Sequence, residues 1–263
     1  MITVFTPTYN RAYTLGDLYE SLMAQSCFDF EWLIVDDGST DNTEELVKNW
    51  LDNGRFEVRY IKKPNGGKPS AINCGLEHAR GEYFWIIDSD DTATPDGVET
   101  CIKWMKSLPK DQKFAGVGGL RGDKQGGIIG TTFEGEYVDA TTLQRSAHNI
   151  GGDKSEVFFT EVIRKFPFPQ FEGEKFVPEA LIWNRIASAG YKIRWFNQIV
   201  HITEYLEDGM TKNVDSNLIK NWQGYSLYVK ELVAGPAGVK DKVLIGGAYC
   251  LRGIKRLCRK HQS

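Results

Sequence analysis

Apolar residues in this chain come in short dense blocks separated by amphipathic stretches, and the alternation holds for the first 120 residues. Blocks rich in β-branched and aromatic types lie at 2–6, 30–35, 56–61, 83–88 and 114–118. Short continuous runs of this kind predict buried strands. Between them, at 14–25, 41–52, 69–79 and 95–107, apolar positions recur at helical spacing. Asp41 with Glu44 three residues on has the form of a capping box. Lys68-Pro69 and Thr94-Pro95 put proline at a first helical position. Regular β-α alternation predicts an α/β fold with a mainly parallel, Rossmann-like central sheet flanked by helices.

Beyond Leu120 the pattern changes. Residues 121–152 are glycine-rich with few periodic apolar positions, and they read as an insertion or long functional loop. Helices are predicted at 155–165 and 177–189, with Gly190 as a stop, and a strand at 191–202. From 214 the chain reads helical, with a second helical stretch after Pro236. The expected division is one α/β domain over 1–212, in halves 1–120 and 121–212, and a C-terminal helical appendage over 213–263.

Composition narrows the class. With 41% apolar and 25% charged residues, the 263-residue chain is ordinary for a globular protein. A net charge of -3 argues against nucleic acid as the main partner. Cys27, Cys74, Cys101, Cys250 and Cys258 show no C-x-x-C spacing, which suits free buried thiols in a reducing compartment. Met1 to Thr6 lacks the basic start of a secretion signal, and no apolar run approaches the roughly 20 residues of a spanning helix. A cytoplasmic location is expected.

The candidate chemistry lies at strand ends. The run Tyr83-Phe84-Trp85-Ile86-Ile87 ends in Asp88-Ser89-Asp90-Asp91. Three carboxylates this close repel one another unless water or a cation compensates them. Oxygen-only ligands suit hard cations such as Mg²⁺ or Mn²⁺. In open α/β sheets ligands bind beyond the carboxyl ends of strands, so a metal and a phosphorylated ligand are expected here. An EF-hand loop over 88–99 would need glycine where Ala93 stands. The second block ends in Val35-Asp36-Asp37-Gly38-Ser39-Thr40-Asp41. A carboxylate there can accept a nucleobase ring N–H, or Asp41 can simply cap the next helix. The first ends in Thr6-Pro7-Thr8-Tyr9-Asn10-Arg11, where the tyrosine can stack on a base. The third ends in Lys63-Pro64-Asn65-Gly66-Gly67-Lys68, a glycine turn with a lysine at a helix start, which can hold phosphate.

In order and spacing, Thr8-Tyr9-Asn10, Val35 to Asp41, Asn65-Gly66-Gly67-Lys68, Ala79-Arg80-Gly81-Glu82-Tyr83 and Asp88-Ser89-Asp90-Asp91 resemble glycosyltransferase family 2. These are inverting, nucleotide-sugar-dependent enzymes of the GT-A fold, and the likeness covers residues 2–100. It implies transfer of a sugar from a nucleotide-diphosphate donor, expected to be a UDP-sugar, to a glycan or lipid-linked glycan, as in polysaccharide biosynthesis. Residues 1–120 would be the donor half and 121–212 the acceptor half. Thr6, Tyr9, Asp37, Lys68, Asp88, Ser89 and Asp90 would line the nucleotide-sugar site. Asp90 with Asp88, the outer residues of the D-x-D motif, would ligate Mn²⁺ or Mg²⁺. The leaving diphosphate gains charge, and a divalent ion offsets it. His201, after the strand Trp195 to Val200, is either a further metal ligand or a structural histidine.

Inverting transfer needs a base for the acceptor hydroxyl. The family usually carries it as an acidic pair opening a helix, and Glu179 stands where the second acid is expected, after Pro178. Glu172 and Glu174 are the alternatives, and the plain reading of Glu179 is a first-turn glutamate favoured by the helix dipole. Residues 204–211 would close over the donor as a lid. From 240 onward, Lys240, Lys242, Arg252, Lys255, Arg256, Arg259 and Lys260 interleave with Leu244, Ile245, Tyr249, Leu251, Ile254 and Leu257. This basic amphipathic pattern predicts a helix that either lies peripherally on the inner face of a membrane or packs on the domain. Two other functions fit parts of the pattern. A non-catalytic nucleotide-sugar-binding relative would keep Asp37 and Asp90 without turnover. A nucleotidyltransferase would open on a glycine-rich basic loop that does not follow the first strand here.

Overall fold

A computed structural model describes residues 1–52, 54–206 and 213–260. The first half runs β1 (Ile2–Thr8), α1 (Ala12–Met23), β2 (Phe30–Asp36), α2 (Thr43–Lys48), β3 (Glu57–Lys62), α3 (Lys68–His78), β4 (Tyr83–Ile86), β5 (Thr92–Ala93) and α4 (Gly97–Lys106). Then come β6 (Phe114–Gly122), β7 (Tyr137–Ala140), β8 (Lys154–Phe159), α5 (Thr160–Ile163), α6 (Ala180–Ser188) and β9 (Lys192–Ile202). Helices α7 (Val214–Lys220), α8 (Trp222–Ala234) and α9 (Val239–Lys260) follow.

The strands form one sheet in the order β3-β2-β1-β4-β8-β6-β9-β5, with β7 also paired to β9. β1 to β4 are parallel, and β6 is parallel to β9. β8 runs antiparallel between β4 and β6. Alternation along the strands feeds two cores. Ile2, Val4, Trp32, Ile34 and Trp85 face α1, α2 and α4. Phe5, Leu33, Val35, Phe84 and Ile86 face α3, α5 and α6. Burial on both faces is why these strands read as continuous apolar blocks rather than alternating ones. α3 lies so close to the sheet that a Cβ at Gly75 would come within 2.2 Å of the Phe5 ring.

Several predicted elements differ. The stretch 155–165 is mostly strand: β8 comes first and only a four-residue helix follows. Period-two alternation was hidden there because Ser155 is buried and polar, its hydroxyl accepting the Trp85 indole N–H at 2.7 Å. The glycine-rich segment holds β7 and a 3₁₀ turn at Thr142–His148. Asp41 and Glu44 form no capping box. Asp41 Oδ1 accepts from the Thr43 N–H and hydroxyl, whereas Glu44 pairs with Lys48 and Lys62. The pairing of Thr92–Ala93 with β9 rules out an EF-hand loop over 88–99. All five thiols are free, but only Cys101 is buried.

The C-terminal region is helical, as predicted. Arg185 makes two bonds to Glu231, 2.8 and 2.7 Å, joining α6 to α8. Among the described residues no helix is long and apolar enough to cross a membrane.

Candidate active site

The loops that follow β1, β2, β3 and β4 lie together at one edge of the parallel strands. Gly67, at φ 85°, delivers Lys68 as the first residue of α3. The Lys68 ammonium lies 2.7 Å from Asp88 Oδ1 and 2.7 Å from Glu179 Oε1. Burial opposes its charge, but the two carboxylates outweigh this and hold its pKa above the ordinary lysine value. Burial likewise opposes ionisation of Asp88, yet Lys68, with help from Arg121, holds it below the usual carboxylate range. One lysine therefore joins the acidic loop after β4 to the glutamate that opens α6.

The three clustered aspartates have different fates. Asp91 is buried and bonded on both oxygens. Oδ2 accepts from His201 Nε2 at 2.7 Å and from Arg121 at 3.3 Å, and Oδ1 accepts from the Glu204 N–H at 3.1 Å. Among the described residues no other side chain hydrogen-bonds or ion-pairs with the Asp90 carboxylate; only its own backbone N–H and the nearby charge of Arg11 favour its ionised form. Burial, then the neighbouring Asp88 and Asp91, push it up to about 6. Asp90 with Asp88 thus fits an open, oxygen-only site for a hard divalent ion that would take its remaining ligands from phosphate and water. No closed group of three or more His, Cys, Asp or Glu ligands exists among the described residues.

His201 is corrected from metal ligand to structural residue. It is fully buried, with Nε2 on Asp91 and Nδ1 3.1 Å from the Ser155 hydroxyl. The Asp91 carboxylate can only accept, so Nε2 carries the hydrogen of that bond, and in the neutral ring Nδ1 is left to accept the Ser155 hydroxyl proton. Neither nitrogen is left for an ion, and burial with Arg121 nearby depresses its pKa and keeps the ring neutral.

The nucleotide-side residues also divide. Tyr9 is 48% exposed, beside Asn10 in the left-handed region at φ 52°. Asn10 ties its loop to the next by bonds to Ser39 and Thr40. Thr6 points the other way: it is fully buried and its hydroxyl accepts the Trp32 indole N–H at 2.9 Å, so its side chain belongs to the core and not to the site. Asp37 is 3% exposed and accepts from Gly66 N–H, Gly67 N–H and Lys63 Nζ at 2.9, 2.6 and 2.7 Å. It shapes the loop that presents Lys68, and a nucleobase N–H would have to share those oxygens. Ser89 is buried between Asp88 and Asp90. At the same strand ends Thr8 Oγ1 and Asn65 Oδ1 are buried with no hydrogen-bond partner among the described residues.

The predicted acceptor-side glutamates separate as well. Glu174 accepts the N–H groups of Gln223 and Gly224 at 2.7 and 2.9 Å, so it caps α8 and is not placed as a base. Glu172 is exposed. Glu179 alone of the three reaches the acidic loop, through Lys68. The backbone of this segment packs directly on the donor loop: a Cβ at Gly67 would lie 2.1 Å from the Lys175 carbonyl oxygen.

Two residues escaped the sequence reading. Arg121 on β6 bonds Asp91 and the Lys154 carbonyl. Glu156 on β8 lies opposite Gly118 of β6, and its carboxyl is pushed up to about 7, chiefly by burial, with Glu179 adding to the rise. Its place directly before the apolar run Val157-Phe158-Phe159 was the available signal for Glu156. The predicted lid is described only at its start, where Glu204 meets Asp91 and Lys124. Residues 207–211 lie outside the described ones. A cavity of about 470 Å³ lined by Phe166, Arg185 and Glu231 sits at the other end of α6 from Glu179.

Residues 3–145 match Glycosyl transferase family 2. Over 117 residues the chain is 40% identical to the chondroitin synthase of Pasteurella multocida (strain Pm70) and to the hyaluronan synthase of Pasteurella multocida. That stretch is 44% of this chain and 12% of either relative. The fold matches S. aureus TarS in complex with UDP-GlcNAc, with TM-score 0.68 and 19% identity over 97% of this chain and 72% of that one. It also matches the mannosyltransferase PcManGT from Pyrobaculum calidifontis in complex with GDP-Man and Mn²⁺, with TM-score 0.63 and 19% identity over 100% of this chain and 75% of that one.

Proposed function

The chain belongs to glycosyl transferase family 2, and we propose on that premise that it moves a sugar from a nucleotide-diphosphate donor to a hydroxyl of a glycan, with inversion at the sugar carbon. The observation that carries this reading is the Asp88–Lys68–Glu179 array. Asp90 and Asp88 would hold Mn²⁺ or Mg²⁺, and the ion when bound would offset charge gained by the departing diphosphate. Lys68, at the start of α3, adds a cation and a helix N-terminus on the same side. Tyr9 is exposed for stacking on the base, and the unpartnered Thr8 Oγ1 and Asn65 Oδ1 can bond the nucleotide. Glu179 takes the proton of the acceptor hydroxyl. Its ion pair with Lys68 orients the carboxylate.

The donor is read as a UDP-sugar, in line with the UDP-GlcNAc complex of TarS, and GDP-Man is the second choice in line with the mannosyltransferase complex. The names of the two Pasteurella multocida relatives favour a glycan acceptor. A lipid-linked glycan would bring the protein to the inner face of a membrane, and the exposed side of α9 favours that setting.

The test is a panel of UDP-GlcNAc, UDP-Glc, UDP-GlcA and GDP-Man with Mn²⁺, Mg²⁺ or chelator. Free nucleoside diphosphate is followed with and without an oligosaccharide acceptor. Metal-dependent release from a UDP-sugar that increases with acceptor is expected. Tight donor binding with no release from any sugar nucleotide would make the protein a non-catalytic binding relative.

A further inference from the structure

α9 is held to the fold by one side only. Ile245 and Tyr249 pack against the small core of Leu218, Tyr225 and Val229, and Tyr249 stacks on Trp222 at 4.7 Å. Arg252 donates to Asp215 and to the Tyr225 hydroxyl, and Arg256 lies over the Trp222 ring. Asp241, the one acid of the helix, accepts from Ser146.

The opposite side is apolar and exposed. Val239, Val243, Leu244, Leu251, Ile254 and Leu257 have between 60% and 78% of their surface exposed. At about 100° per residue these six fall within one arc of roughly 140°. Single exposed aliphatics are ordinary, but six aligned along one helix mark an interaction face. Lys240 lies within the arc, Lys255 about 20° beyond one edge, where it also meets Asp215 at 3.4 Å, and Lys242 about 60° beyond the other. The helix carries seven basic residues against one acid in a chain of net charge -3, so it is a basic element of an acidic chain, with Arg252 and Arg256 taken up on its packed side.

We propose that α9 docks the protein on an anionic lipid surface, with the aliphatic arc at the acyl boundary and the flanking lysines at the headgroup phosphates. This deepens the membrane setting given above, although its observations are those of α9 alone. α9 packs on α8, whose first turn is capped by Glu174 in the segment leading to Glu179. A docked α9 therefore ties the acceptor side of the site to the membrane.

The test is flotation of the full chain with vesicles of phosphatidylcholine alone and of phosphatidylcholine mixed with phosphatidylglycerol. Binding to the mixed vesicles only, weakened by high salt, is expected. An Ile254→Glu, Leu257→Glu double variant, changed at two outward positions, should lose binding by about tenfold or more. Lys242→Gln and Lys255→Gln should each lose roughly fivefold. Nucleoside diphosphate release, measured on the same preparations without lipid, should be unchanged in all three; vesicle binding by a wild type that releases none upholds docking and fails the transfer reading alone. Wild type that stays with the unbound fraction, or that binds both vesicle types equally, overturns the proposal. So does a lipid-free dimer that the double glutamate variant splits, since a second copy would then cover the arc.

Discussion

The two sides of the site are built in different ways. On the donor side each functional residue stands next to a strand or helix end that its own neighbours define. Tyr9 follows β1, Asp37 follows β2, Lys68 opens α3 and Asp88 lies two residues past β4. On the acceptor side Glu179 comes from a segment without a strand, positioned by groups far along the chain. Glu174 bonds residues 49 and 50 positions later, and the N–H groups of Lys175 and Phe176 reach Asn221, 46 and 45 positions later. In the proposed reading, donor chemistry is thus a local property of parallel strand ends, while acceptor chemistry is conditional on the C-terminal helices.

Glu179→Gln sharpens this contrast most. Transfer should fall about 10²- to 10⁴-fold, the range for losing a general base, while UDP affinity with Mn²⁺ changes little. Calorimetry and turnover on the same variant separate the two. Near wild-type transfer in Glu179→Gln, with a dead Glu172→Gln or Glu174→Gln, would move the base into the preceding loop.

Asp90→Asn attacks the other side. Removing a charged ligand should weaken Mn²⁺-dependent UDP binding roughly 10- to 100-fold and leave metal-free binding nearly unchanged. Equal affinity with Mn²⁺ and with chelator in the wild type would sink the metal assignment. The same carboxyl predicts a pH dependence. Its pKa is pushed up to about 6, and an ion takes only the ionised form, so Mn²⁺ affinity should be steady above pH 7. Below about pH 6 it should fall by as much as about tenfold per unit, read from Mn²⁺ titrations.

Glu174→Ala tests whether the acceptor segment depends on α8. Losing a cap costs about 1 kcal/mol, which lowers Tm by about 2–4 °C in a chain of this size. Transfer should drop while UDP binding holds; loss of both together would erase the distinction between the two sides. The smallest expected effect is at Glu156. Its carboxyl is raised from 4.5 to about 7, so the folded state holds the proton more tightly than the unfolded. Its stabilising contribution is full below pH 4.5 and is lost as pH rises through 7. Glu156→Gln should flatten that part of the pH profile of urea midpoints.

Much of the donor side was legible because its signals are contiguous. An apolar block, a turn and an acidic or glycine-rich loop occupy a dozen positions, and β-α alternation forces such loops to one sheet edge. Thr6 shows the limit even there: it lies near the right strand end, within β1, yet its side chain faces Trp32. Residues 155–159 failed as a helix because Ser155 and Glu156 break the apolar period, and only the partners Trp85 and His201 explain a buried serine.

By itself the sequence determined the α/β architecture, the donor loops and the helical C-terminus, since apolar spacing and turn residues act over short stretches of chain. Only the tertiary structure decided which of Asp88, Asp90 and Asp91 pairs with lysine, which remains available to an ion and which is locked to His201 and Arg121. It also decided that Glu179 meets Lys68 and that the aliphatic side of α9 faces outward. The physical reason is that periodicity reports which residues avoid water, whereas the state of a polar or charged group depends on the partner brought to it. Those partners lie as far as 113 positions away, on strands whose order no short stretch of chain encodes.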